Sequence, residues 1–301
     1  MTSIKTQQPN FTVCIPTYYG GPSLVRAVES IRRSRDVGPF RIIVAIDGNP
    51  LAEDITRQLE ELDVEIVFSA KRGGQVARIK QMVAMVDTEL TVLTQDDINF
   101  DKEALGLIIS ALADKKVTMI GVRVVSVKAT TFFESIIAVG VRLTRQIGQQ
   151  WRVADNFLLA SGRCLAFRTN TIKKFELPDE VINSDALMYF ENRRLKGVFR
   201  YVDEAIVYNR SPLHLKEHVK QAKKFEYSQM ELTRYFSAEI AKEYEVPFTG
   251  IVRAVLAEFW CHPFAMLLYC SIHIYTKWQK NEFTGSKSGF WETDVSTKRV
   301  K

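Results

Sequence analysis

Apolar and polar residues alternate in blocks along the first third of the chain, and the blocks have the lengths of strands and helices. Short apolar runs predict strands at residues 11–15, 41–46, 64–68 and 90–93. Between them, apolar residues recur at helical spacing and predict helices at residues 23–31, 51–62 and 76–86. Apolar strands that alternate with amphipathic helices are typical of a mostly parallel sheet covered by helices on both faces.

The second half of the chain has a less regular pattern. Strands are predicted at residues 117–125 and 201–208, and helices at residues 132–147, 184–195 and 215–235. Ser184 is the expected N-cap of its helix, and Gly197 is the expected stop. The apolar stretch 157–167 contains Ser161 and Gly162, a pair that is typical of a tight bend in a strand.

Polar residues follow each of the four early strands. These residues are Thr17-Tyr18-Tyr19, Asp47-Gly48, Lys71-Arg72-Gly73 and Asp96-Asp97. Ligands of such sheets bind beyond the carboxyl ends of the strands. We therefore expect acidic groups, basic groups and hydroxyls to face one crevice at this edge of the sheet.

Asp96 and Asp97 are the candidate metal ligands of the crevice. Adjacent acidic residues at the end of a strand more often form a turn or cap a helix. Beside bound phosphates, however, Mg²⁺ or Mn²⁺ typically takes one or two carboxylates together with phosphate oxygens. The metal would then act as a Lewis acid on a leaving diphosphate.

Basic residues surround Gly73-Gly74, just before a predicted helix. Lys71, Arg72 and Arg78 would each, taken alone, more often be solvated surface charges. Because backbone N–H groups at a helix N-terminus attract anions, these cations are well placed to pair with donor phosphates.

Six segments, in this order along the chain, resemble motifs of the family 2 glycosyltransferases. They are residues 15–19 (I-P-x-Y/F-N), 45–49 (D-D-G-S), 73–78 (G-x-x-x-A-R), 93–97 (D-x-D-D), 184–185 (E-D) and 221–225 (Q-x-x-R-W). The resemblance covers residues 11–227. It implies the α/β fold called GT-A and an inverting transferase that takes a sugar from a nucleotide-diphosphate donor, most commonly a uridine nucleotide.

The resemblance also implies roles for individual residues. Asp185 would be the catalytic base for the acceptor hydroxyl, although a carboxylate at the start of a helix is as often a dipole-complementing cap. Asp96 and Asp97 would hold Mn²⁺ or Mg²⁺. The implied donor-binding residues are Pro16, Thr17, Tyr18, Asp47, Arg72, Arg78, Asp96, Gln221 and Lys224. The implied acceptor-binding residues are Ser161, Gly162 and Ser184.

The chain departs from the family motifs at several positions. Ile46 and Thr94 replace the first acids of D-D-G-S and D-x-D, Tyr19 replaces an asparagine, and Lys224-Phe225 replaces Arg-Trp. The last change argues against processive polymer synthesis. The lost acids motivate a second interpretation, a catalytically degenerate, membrane-associated subunit that binds nucleotide sugars or serves as a scaffold. A sugar-1-phosphate nucleotidylyltransferase is disfavoured, because residues 16–19 lack its glycine-rich signature.

The C-terminal part of the chain is strongly apolar over residues 254–275, but it contains Glu258 and Pro263. These two residues disfavour a straight membrane span. The flanking basic and aromatic residues favour a helical pair at the membrane interface, with contact through residues 249–280. The alternative is a buried helix packed on the domain.

The expected organisation is an N-terminal tail at 1–10, a GT-A domain at 11–245, an apolar helical extension at 246–280 and a polar tail at 281–301. The formal net charge of +6 without a dense basic run argues against nucleic-acid binding. Cys14 is expected to be a buried thiol, and Trp151 and Tyr189 either stack on sugars or pack internally. Without an apolar leader in the sequence, we expect a cytoplasmic protein, peripheral on the inner face of the membrane, with a glycan or lipid-linked acceptor.

Overall fold

A single mixed sheet forms the centre of the protein. The computed structural model describes residues 9–236, 238–280 and Lys298. Most of the two predicted tails, at 1–10 and 281–301, therefore lies outside the described residues. The strands are β1 Phe11–Thr17, β2 Arg41–Asp47, β3 Glu65–Ser69, β4 Leu90–Thr94, β5 Asn99–Phe100, β6 Val117–Ser126, β7 Cys164–Arg168 and β8 Val198–Asn209. They form one eight-stranded sheet in the order β3-β2-β1-β4-β7-β6-β8-β5.

Helices cover the sheet and extend beyond it. They are α1 Pro22–Arg32, α2 Glu53–Glu61, α3 Gly74–Met85, α4 Ala104–Ala111, α5 Phe132–Gln150, α6 Thr169–Ile172, α7 Ser184–Arg194, α8 Leu215–Tyr235, α9 Ala238–Glu243, α10 Phe248–Cys261 and α11 Pro263–Trp278. The predicted strands and helices correspond to these elements, with differences of a few residues at their ends.

The first half of the chain builds the parallel part of the sheet. β1 pairs in parallel with β2 and β4, and β2 pairs in parallel with β3. β1 and β4 are almost completely buried because other strands flank them and helices cover both faces. β3 lies at the edge, and its Phe68 is half exposed. The carboxyl ends of these four strands meet at one edge, as the sequence predicts.

The second half adds antiparallel pairs. β7 is antiparallel to both β4 and β6, and β6 runs parallel to β8. The apolar stretch 157–167 becomes a strand only at Cys164. Ser161 and Gly162 lie in the turn that precedes this strand rather than in a bend within it.

Two apolar clusters pack on the opposite faces of the sheet. One lies under α1, α2 and α4, and the other lies under α3 and α7. Trp151 and Tyr189 are buried and make edge-to-face contacts with phenylalanines, so both pack internally. Cys14 is buried as predicted, and burial raises the pKa of its thiol to about 12.

The C-terminal apolar segment is a pair of helices that breaks at Pro263, as the sequence predicts. Both α10 and α11 pack on α5 through a small apolar cluster that includes Leu143 and Met266. Glu258 of α10 is buried against α5, where Arg142 Nε donates to its Oε1 at 2.7 Å. Among the helices that the structure describes, none combines the length and the apolarity needed to cross a membrane.

Candidate active site

The ends of β1 and β4 join through one hydrogen bond between side chains. Thr17 Oγ1 donates to Asp96 Oδ2 at 2.5 Å, and Gly20 N donates to Thr17 Oγ1 at 2.9 Å. Thr17 and Asp96 are both buried. The hydroxyl therefore orients the carboxylate, and the turn after β1 holds the hydroxyl in place. Pro16 lies just before Thr17 in β1, beside Ala45 of β2.

Asp96 also binds a cation supplied by the chain itself. Lys298 Nζ donates a hydrogen bond to Asp96 Oδ1. Burial by itself lowers the pKa of Lys298, but the negative charges of Asp96 and Asp97 outweigh it, so the pKa lies above its ordinary value. The two carboxylates thus form a local negative centre that attracts positive charge.

This pair of carboxylates fits a divalent metal that binds phosphates. Within the described part of the chain, no group of three or more His, Cys, Asp or Glu side chains converges on one point. Two carboxylates are sufficient where phosphate oxygens and water complete the coordination shell. The ammonium of Lys298 on Asp96 Oδ1 is a stand-in cation at the predicted position.

Two departures from the family motifs are accounted for by packing. Thr94 is buried at the end of β4, and its hydroxyl donates to the backbone carbonyl of Arg163 at 2.7 Å. Ile46 is buried in the apolar cluster under α1 and α2. Both side chains therefore stabilise the fold at positions where the motif has acids.

Asp47 anchors the N-terminus of α3 to the end of β2. Its Oδ1 and Oδ2 accept from Gly73 N at 2.7 Å and from Gly74 N at 3.0 Å. Arg78 Nε lies 3.3 Å from Asp47 Oδ1, and Arg78 Nη1 donates to Gln81 at 2.7 Å. The structure thus brings Asp47 and Arg78 together as a nearly buried ion pair.

Tyr18 and Arg72 form a flat wall beside this ion pair. The Arg72 guanidinium stacks over the Tyr18 ring, with its central carbon 4.0 Å from the ring centroid. A side chain at Gly48 would meet both residues, and its φ of +88° is one that glycine adopts without strain. The stacked pair lies at the same edge of the sheet as Asp47.

Asp185 lies in the first turn of α7, but it does not cap the helix. The N-cap is Asn183, whose side chain accepts from Ala186 N at 3.3 Å, so the prediction of Ser184 as the cap is wrong. Ser184 is buried at the first helical position. The two residues are adjacent and both have capping chemistry, and the backbone turn selects the earlier one.

The Asp185 carboxylate turns towards the loop before β7. Gly162 N donates to Asp185 Oδ2 at 2.8 Å. A Cβ atom at Gly162 would lie 3.2 Å from the same oxygen, so a side chain there would press on the carboxylate. The predicted acceptor residues Ser161 and Gly162 are therefore next to the predicted base.

Arg163 interacts electrostatically with two of these acidic groups, and it is not among the site residues that the sequence predicts. Burial lowers the pKa of its guanidinium, while the negative charges of Asp97 and Asp185 act in the opposite direction. Arg163 is thus close enough to both carboxylates to interact with them electrostatically. The sequence around Arg163 gives little indication of a functional role, because this residue is a single charge inside an apolar stretch.

The two predicted site residues of α8, Gln221 and Lys224, lie in different environments. Gln221 lines the same cavity as Asp185 and Ser161. Lys224 lies near the Glu231 carboxyl, where its charge opposes the burial that raises the pKa of that group. The short motif therefore contributes directly to the cavity through Gln221.

Comparison with known sequences decides the family. The sequence model of glycosyltransferase-like family 2 matches residues 9–225, which is most of the chain. This chain belongs to that family. No curated protein matches the chain at a significant level.

Solved structures similar to this glycosyltransferase have the same GT-A fold. The mannosyltransferase PcManGT from Pyrobaculum calidifontis, in complex with GDP-Man and Mn²⁺, has a TM-score of 0.61 and 14% identity over 90% of this chain and 84% of that chain. S. aureus TarS 1-349 in complex with UDP has a TM-score of 0.52 and 14% identity over 90% of this chain and 92% of that chain. At such low identity, the likeness establishes the fold.

Proposed function

We propose that this glycosyltransferase inverts the anomeric centre of a sugar that it moves from a nucleotide-diphosphate donor to a hydroxyl of a glycan or a lipid-linked saccharide. The observation that carries the proposal is the hydrogen bond from Gly162 N to Asp185 Oδ2, which holds this carboxylate at the loop before β7. Because β7 pairs with β4, the strand that leads to Asp96 and Asp97, the proposed base lies near the proposed metal ligands. A single displacement needs the leaving diphosphate on one side of the sugar and the base on the other.

The donor would bind at the carboxyl edge of the parallel strands. The Tyr18–Arg72 wall offers a flat surface for the nucleobase, and the Asp47–Arg78 pair offers polar groups for the ribose or diphosphate. Pro16, Thr17 and Asp96 lie at the same edge of the sheet and would border the bound donor. Two similar structures are complexes with GDP-Man and with UDP, and their nucleotides support a nucleotide-diphosphate donor here. We favour a uridine nucleotide.

Asp96 and Asp97 would hold Mn²⁺ or Mg²⁺ against the diphosphate. When bound, the metal supplies Lewis-acid stabilisation of the negative charge that develops on the leaving group. Thr17 fixes one oxygen of Asp96 by its short hydrogen bond. The complex of PcManGT with Mn²⁺ supports this cofactor. Lys224 would approach the diphosphate from α8.

Asp185 would take the proton of the acceptor hydroxyl as the glycosidic bond forms. Because Asn183 caps α7, the Asp185 carboxylate can point to the loop before β7. The Gly162 N–H holds it there. Ser161 and Gly162 adjoin this carboxylate, and Ser184 precedes Asp185 in the chain, so we assign these three residues to the acceptor. Gln221, which the family resemblance assigns to the donor, lines the same cavity as Asp185.

We further propose that the protein acts at the cytoplasmic face of a membrane, with peripheral contact through residues 249–280. The large apolar side chains exposed on α10 and α11 support this location. The apolar extension and the proposed GT-A domain at 11–245 would then bring the active site close to lipid-linked saccharides.

Donor turnover tests the proposed function. The protein is incubated with a panel of UDP- and GDP-sugars in the presence of Mn²⁺, Mg²⁺ or EDTA, and the released nucleoside diphosphate is measured. We expect slow hydrolysis of one donor that requires metal and is lost in Asp96→Ala. Binding of donors without release, in the presence of acceptor saccharides, would favour the non-catalytic subunit. Absence of any donor binding would refute both the transferase and a subunit that binds nucleotide sugars.

A further inference from the structure

A cavity of about 520 Å³ opens beside Asp185. Its walls come from β6, α5, α8 and α11, together with the loop before β7. The volume is within the range of about 300–1,000 Å³ that is usual for small-molecule sites. The cavity therefore lies between the central sheet and the helices α5, α8 and α11.

The chemistry of the lining divides into two parts. Val122 and Val124 of β6 and Ile137 and Val141 of α5 contribute aliphatic side chains. Ser161, Arg163 and Asp185 form the polar part at one end, where they adjoin one another around Gly162. Other polar side chains, among them Arg145, Gln221 and Lys277, also reach the walls, but most of the lining surface is apolar. A ligand that fills this space has an apolar portion and a polar portion at the carboxylate.

We propose that the cavity binds the alkyl chain of a glycolipid acceptor, with the reacting hydroxyl of its sugar at Asp185. This inference rests on the proposed function. A free saccharide carries hydroxyls along its whole length, and burying them against aliphatic side chains without hydrogen bonds is costly. An alkyl chain gains free energy from the same surface. The aliphatic part of the lining therefore favours binding of an alkyl chain, and the polar part favours binding of the sugar.

The outer surface of α10 and α11 supports the proposal that the alkyl chain belongs to a membrane lipid. α11 lines the cavity with Tyr269 and His273. On α10 and α11, Trp260, Phe264 and Trp278 are 84%, 81% and 82% exposed. Exposed aromatic residues on amphipathic helices are typical of the membrane interface. Helix α11 thus lines the cavity and also presents an apolar surface that would lie in a lipid layer.

Close packing of α5 and α11 shapes this part of the cavity. A Cβ atom at Gly140 would lie 2.5 Å from the Tyr269 hydroxyl, so the tyrosine can lie against α5 only because residue 140 is glycine. Gly140 and Tyr269 both line the cavity. The cavity therefore depends on the helical extension as well as on the GT-A sheet.

Calorimetric titration with dodecyl β-glucoside below its micelle concentration tests the proposal, with glucose as the chainless probe. Val141→Phe fills the cavity from α5 and Ala222→Phe fills it from α8, and Val252→Phe on α10 is the matched control outside the cavity. We expect the glucoside to bind the wild type and the control, and glucose not to bind. Excluding two methylenes from the cavity should weaken binding roughly 15-fold in each filled variant.

The outcomes separate this inference from the proposed function. Equal binding of the glucoside by the wild type and both folded cavity variants would overturn the inference, and so would a wild type that turns over donor but does not bind the glucoside. A wild type that binds the glucoside but neither binds nor turns over any donor would instead refute the proposed function, and the cavity could no longer be assigned to an acceptor. Thermal unfolding of each variant verifies that it is folded.

Discussion

Lys298 donates a hydrogen bond to Asp96, so a residue near the end of the chain provides a positive charge at the carboxylate that we propose as a metal ligand. The side chains of both residues are nearly buried, at 9% and 3% exposure. An ammonium and a divalent metal cannot both occupy the space at Asp96 Oδ1. Metal binding therefore requires that Lys298 leave this oxygen.

The first prediction concerns this competition. Lys298→Met keeps the length of the side chain and removes its charge, so the affinity for Mn²⁺ should rise roughly tenfold, the value of one charged hydrogen bond. Titration of the protein with Mn²⁺, followed by the electron paramagnetic resonance of the free ion, measures the change. Lys280→Met, at an exposed lysine, is the control. Equal affinity of Lys298→Met and the wild type would contradict the competition.

The second prediction concerns Asp47 and the N-terminus of α3. Asp47→Ala leaves the N–H groups of Gly73 and Gly74 and the guanidinium of Arg78 without this acceptor. The free energy of unfolding should fall by about 1–3 kcal/mol. Asp47→Asn keeps one carbonyl acceptor, so its free energy of unfolding should fall by less. Urea denaturation measures both variants, and an alanine variant as stable as the wild type would show that the anchor is unimportant.

The third prediction concerns the attachment of the helical pair. Glu258 accepts from Arg142 and from Gln146 of α5, so Glu258→Ala removes the polar link between α10 and α5. Because Arg142 is partly exposed and can be rehydrated, we expect a loss of about 1–3 kcal/mol in unfolding free energy. Faster proteolytic release of residues beyond 246 should accompany the loss. Glu245→Ala, at an exposed position, should leave both measurements unchanged.

The fourth prediction concerns pH. Burial lowers the pKa of His218 on α8, and the nearby His273 adds to the shift. The unfolded chain therefore takes up this proton first as the pH falls through about 6.5, and protonation favours unfolding. Thermal stability should decline on acidification below that pH. The decline should be smaller in His218→Asn than in the wild type and in the control His262→Asn, and identical slopes in all three would refute the assignment.

The sequence predicted the parallel half of the fold well because its strands are buried on both faces and separated by amphipathic helices. It also located Thr17, Asp47 and Asp96 at one edge, since the carboxyl ends of parallel strands coincide. It did not identify Asn183 as the cap of α7, because Ser184 has the same capping chemistry one residue later. Local patterns distinguish the two only through the backbone conformation of the turn.

The sequence patterns did not predict contacts between residues that are far apart in the chain. Arg163 comes near Asp97 only because β7 pairs antiparallel with β4, a pairing that apolar periodicity does not specify. Lys298 and Asp96 are 202 positions apart. The sequence identified Glu258 as a charge inside the apolar segment, but its partner Arg142 became known only from the packing of α10 on α5.

The rate of sugar transfer by Asp185→Asn tests the central claim most directly. Asparagine keeps the size of the side chain and an oxygen that can accept from Gly162 N, but it cannot take a proton. With the donor found in the turnover panel and a saccharide acceptor, transfer should fall by about 10²- to 10⁴-fold while donor affinity is unchanged. The wild-type product should have the inverted anomeric configuration by NMR. A variant that transfers at the wild-type rate, or a wild-type product with retained configuration, would contradict Asp185 as the base of an inverting transferase.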